Sequence, residues 1–154
     1  MMRPACLQAV SGYDPAYPNE DMQLWTKLAF VTRMVNLEEV LVHYRMPPRK
    51  QREKSLYWEP HIKRVGHEYA ERILNRAVDP RFIPLFFNFR KYGRLDPGTT
   101  FFDVFALCSL LKEIFDAMKC RQLIDSHHII EVENLLVAQT QQLVLTAFQT
   151  IESE

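Results

Sequence analysis

After Pro60 the apolar residues of this chain recur at helical steps. Ile62, Val65, Tyr69, Ile73, Leu74 and Ala77 fall mostly three or four apart, between Pro60 and Pro80. That spacing lines one face of an α-helix; a strand repeats every two residues. A second helix is expected from about Thr100 to Lys119, with Phe101, Val104, Phe105, Cys108, Leu111 and Phe115 on one side. A third, capped by Asp125 or Ser126, carries Ile129, Ile130, Leu136, Leu143, Val144 and Phe148. Between the first two, Pro84 interrupts the apolar stretch Phe82 to Phe89, read as a short helix or turn. Lys91 to Arg94 and Asp96-Pro97-Gly98 are turn chemistry.

The N-terminal third follows another pattern. Asn19, after Pro18, is a natural N-cap, so Glu20 and Asp21 open a helix where its dipole favours negative charge. On a 3.6-residue period Asp21 shares the face of Leu24, Trp25 and Leu28, while Glu20 lies with Gln23 and Lys27. Asp21 is therefore expected toward a core or cleft and Glu20 toward water. An acid held there beside an aromatic can act as a general base; equally, both acids can simply cap the helix. Val40 to Tyr44 reads as a strand, and Met34 to Leu37 as a second short one. Pro47-Pro48 ends this region.

The expected fold is therefore an α-rich α+β chain. Residues 1–46 form a helix plus two short strands, 47–55 a basic linker and 56–154 a helical C-terminal region. At 154 residues this is one domain, or a small domain with an appendage.

Charge is zero overall but uneven. Residues 45–94 carry a net +8, and residues 95–154 a net −6. The plainer reading of the basic middle is a solvated helix face; the other is contact with an anionic partner or a membrane surface. Arg49 to Lys54 has no interleaved aromatics, so nucleic acid is not an expected partner. Cys6, Cys108 and Cys120 are far apart, with no Cys-x-x-Cys, which points to free thiols in a reducing compartment and no zinc site. His61 and His67 are six apart, on different helix faces, and make poor joint ligands. No apolar run spans a bilayer, so the expected location is cytoplasmic or membrane-peripheral.

Gly12-Tyr13-Asp14, Glu20-Asp21 with Leu24-Trp25, and Tyr44-Arg45 closing an apolar run occur in an order that resembles the acceptor half of family 2 glycosyltransferases. The resemblance covers residues 1–46. It implies a remnant of a GT-A fold and a helical extension of other origin. It implies inverting sugar transfer from a nucleotide-sugar donor to a hydroxyl acceptor. Asp21 would be the base, with Glu20 orienting it. Trp25, Gly12 and Arg45 would form the acceptor side: Trp25 stacking on a sugar, Gly12 permitting the turn, Arg45 facing the leaving diphosphate. The complete family domain holds a divalent cation on an Asp-x-Asp, which this chain lacks; Pro47 also stands where many members have His. The chain is accordingly expected to be part of a longer or split glycosyltransferase, inactive alone. The alternative is a non-catalytic helical interaction module.

Overall fold

The structure, a computed structural model, describes residues 3–18, 20–34, 39–43 and 58–151. Its regular elements are α1 (Pro4–Ala9), α2 (Glu20–Leu28), α3 (Glu59–Leu74), α4 (Phe82–Tyr92), α5 (Phe101–Cys120), a 3-10 turn (Ser126–His128) and α6 (Ile129–Ile151). They fall into two compact units, Met1–Val65 and Gly66–Glu154, with the boundary inside α3.

No strand exists among the described residues, which overturns the α+β expectation and its GT-A remnant. Val40, Leu41 and Val42 are irregular and mostly solvent-exposed. β-branched residues favour a strand only where a neighbouring strand satisfies the backbone and covers one face; none is present among the described residues. Met34 is likewise irregular; Val35 to Leu37, Tyr44, Arg45 and the linker 47–55 lie outside the described residues, as does the expected cap Asn19.

In the first unit, Val10 of the turn after α1 packs with Leu24 and Leu28 of α2, with Cys6 and Leu7 against them. Tyr17 is buried beneath the guanidinium of Arg64, 4.6 Å from its ring centre. Gln23 is also buried, and among the described residues its Oε1 has no partner.

The second unit is a helical core. Ile73 of α3 is buried, as the spacing predicts, but Ala77 lies beyond the helix and is exposed. Asn75 takes φ 54° past the end of α3, and the Arg76 N–H returns to the Glu71 carbonyl, a left-handed helix stop. Pro84 does not break α4. It sits in the first turn, where an amide N–H has no helical partner to lose. Gly93 closes α4 at φ 67°.

Thr100 starts α5 with a capping box. Its Oγ1 accepts from the Asp103 N–H, and Asp103 accepts from the Thr100 N–H. Leu85 and Phe89 of α4, Val104 and Leu107 of α5, and Leu143 and Ala147 of α6 form one core with Leu95. Ala70, Val78 and Leu110 form a second cluster around the end of α3.

A charged cluster joins α4 to α5. Arg81 contacts Asp79 at 2.8 Å and Asp103 at 3.2 Å. Hydrogen bonds from the Arg81 side chain and backbone hold Asp79 below the usual carboxylate range, and those from the Thr100 hydroxyl and N–H do the same for Asp103. A carboxylate depressed in the folded chain adds stability above its unfolded pKa and loses that contribution as pH falls. Melting temperature should therefore drop as pH falls below about 4, and less steeply in Asp103→Asn. Parallel melting-temperature curves for wild type and variant between pH 5 and pH 2 would exclude this contribution from Asp103.

Candidate functional site: the turn before α2

The glycine-aromatic-acid turn is built by the end of α1. Ser11 and Gly12 both adopt left-handed backbone, at φ 60° and 63°. The Gly12 N–H donates to the Leu7 carbonyl at 2.9 Å, closing α1 and reversing the chain. A side chain at position 12 would be strained by that φ, which is the role expected of this glycine. Asp14 then folds the following residues locally. Its Oδ1 accepts from the Ala16 N–H at 3.0 Å, and its carbonyl accepts from the Tyr17 N–H at 3.1 Å.

This turn and the head of α2 enclose an open concavity of about 350 Å³, lined by Tyr13, Asp14, Pro15, Tyr17, Pro18 and Glu20. Two tyrosines and two acidic residues thus border one mostly apolar space. Tyr13 is half exposed, while Tyr17 is fixed by burial and by Arg64. An exposed aromatic beside acids suits a polyhydroxylated molecule: the Tyr13 ring can cover its C–H face and a carboxylate can accept hydrogen bonds from its O–H groups.

The expected site residues meet only in part. Glu20 lines the concavity and is exposed, on the wetter side that helix phase assigns it. Asp21 does not turn toward the core. It is exposed, and its Oδ1 accepts the neighbouring Met22 N–H at 2.7 Å. Trp25 is also half exposed, whereas Gln23 is buried with Leu24 and Leu28. The buried arc of α2 is therefore displaced by about one residue from the predicted one. α2 is only nine residues long, and its inner face is set by α1 packing against Leu24 and Leu28. Arg45 lies outside the described residues.

Tyr17 escaped the sequence reading, yet Tyr13-x-x-x-Tyr17 in a proline-bracketed turn was a usable signal. The remaining candidates are dispersed. His67 Nε2 lies 3.0 Å from the Val78 carbonyl, and His128 pairs with Glu131 at 3.1 Å in solvent. Cys6 and Cys108 are partly buried and Cys120 exposed, all as free thiols; burial pushes the Cys108 thiol up. Among the described residues no three His, Cys, Asp or Glu side chains are grouped to hold a metal ion. Also among them, no helix is long and apolar enough to cross a membrane. No family model, curated protein or solved structure matches this chain.

Proposed function

We propose that residues 1–46 supply the acceptor side of a nucleotide-sugar glycosyltransferase. The supporting observation is the concavity that brings Tyr13, Asp14, Tyr17 and Glu20 together at the head of the acidic helix. In this reading a carboxylate of the Glu20-Asp21 pair removes the proton from an acceptor hydroxyl. The oxygen attacks the anomeric carbon, and the nucleoside diphosphate departs from the opposite face with inversion. Both acids stand in solvent in this chain. A donor-binding segment closing over them would exclude that water and strengthen the base.

The family's divalent cation does not fit the residues present. The sequence contains no Asp-x-Asp, and the described residues offer no ligand cluster. Diphosphate binding belongs to residues other than these, so the chain alone transfers no sugar.

Titration of the chain with a panel of mono- and disaccharides, followed by NMR, tests the reading. At least one sugar should shift the Tyr13 and Tyr17 resonances at millimolar concentration, and Tyr13→Ala should remove the response. A panel that leaves both tyrosines unmoved would defeat it. A second reading, a non-catalytic interaction module, is favoured by the uncharged exposed surface of α6 after Glu133.

A further inference from the structure

The outer face of α6 does not look like a helix that ends in water. From Asn134 to Ile151 the sequence has no charged residue. Leu143 and Ala147 face the core and are buried. On the opposite side, Ile130, Asn134, Val137, Gln141, Leu145 and Phe148 form one exposed stripe at three- and four-residue steps. Surface helices normally place charge there. The stripe continues onto α5. Phe148 meets Phe101 edge-on at 4.8 Å, and Phe101 meets Phe105 at 6.1 Å. Phe105 is 62% exposed and Phe102, one turn back, 87%.

Scattered exposed apolar residues are ordinary; a contiguous apolar stripe is not. Phe102, Phe105, Ile130, Val137, Leu145 and Phe148 leave about half or more of their surface in solvent. Together they offer on the order of 800 Å², close to one partner's share of a standard interface.

We infer that this face is covered by a second copy of the same chain, related by a twofold axis. Two features favour that occupant. A twofold contact sets each residue against its own surface, so a charged stripe would repel itself; this one has no charge to oppose. Four of its six members are also related by symmetry about position 139. With α6 antiparallel across its partner, Ile130 meets the partner's Phe148, and Val137 meets the partner's Gln141. The α5–α6 hairpins of two copies then make a four-helix arrangement. A lipid surface is disfavoured, because α6 has no Lys or Arg to meet anionic headgroups.

Sedimentation equilibrium of the full chain tests the assignment. At tens of micromolar the mass should be twice the 18.2 kDa of one chain. Leu145→Glu and Phe102→Glu should each weaken association at least about 100-fold, with unchanged circular dichroism. Phe102 is so exposed that its replacement cannot unfold a monomer, which guards against a variant that simply fails to fold. A wild type still monomeric at 200 µM would overturn the inference, as would a dimer untouched by both variants. Capture of a different protein on this face, with the chain itself monomeric, would also overturn it. None of these results bears on the saccharide titration, so this inference and the glycosyltransferase reading fail separately.

Discussion

Asp21→Asn, in a polypeptide joining this chain to a donor-binding half, should lower sugar-transfer turnover by about 10²–10⁴-fold, the usual worth of a positioned general base. The fold should survive. Asp21 is exposed, its Oδ1 accepts from the adjacent Met22 N–H, and an amide oxygen can still accept that bond. Loss of a first-turn charge should cost no more than about 1 kcal/mol. Resemblance and geometry favour different acids. The resemblance puts the base at Asp21, the second acid of the pair; the concavity is lined by Glu20. Glu20→Gln should therefore be measured beside it, at matched stability. A larger loss at Asp21 supports the resemblance. A larger loss at Glu20 would move the base to the acid that faces the concavity. Equal turnover in both variants and wild type would remove the pair from catalysis, and the glycosyltransferase reading with it.

The sequence was most legible where one residue's role is local. Gly12, Gly93 and the Thr100-Asp103 capping box are each dictated by a few neighbouring dihedrals and hydrogen bonds. All three were readable: a glycine in the turn before α2, a turn at Lys91 to Arg94, and a helix start near residue 100. The period of the C-terminal helices was equally plain, because Val65, Ile73, Val104, Phe115 and Leu143 all reach the core.

The failures have a common physical origin. Val40 to Val42 have the composition of a strand, but a strand is a property of a pair, and no partner lies among the described residues. The phase of α2 was misjudged because Trp25 was counted as core; large and amphipathic, it stays half exposed while the smaller Leu24 and Leu28 fill the space against α1. Ile130, Phe105 and Phe148 share helical stripes with core residues in the sequence, yet they are exposed. Their hydrophobicity was visible in sequence, but which of two apolar faces meets the neighbouring helices was not.

Leu143→Ala should destabilise the second unit by about 2–5 kcal/mol, while Leu145→Ala should cost no more than about 0.5 kcal/mol in the monomer. The two residues share a type and lie two positions apart, so helix propensity cancels between them. They differ only in what surrounds them. Leu143 is fully buried where α4, α5 and α6 meet, against Leu85, Phe89, Val104 and Leu107. Truncation there leaves a cavity that three helices cannot all close. Leu145 is 56% exposed on the outer stripe. Urea unfolding at submicromolar concentration reads the folding term alone. Repeating it at high concentration adds the association term, and only then should Leu145→Ala fall behind wild type. A similar loss for both variants at low concentration would mean that the outer stripe belongs to the monomer's own core. Similar behaviour of Leu145→Ala and wild type at every concentration would place that leucine outside any interface. The pair thus separates the residues that make this helical unit fold from those that give it something to meet.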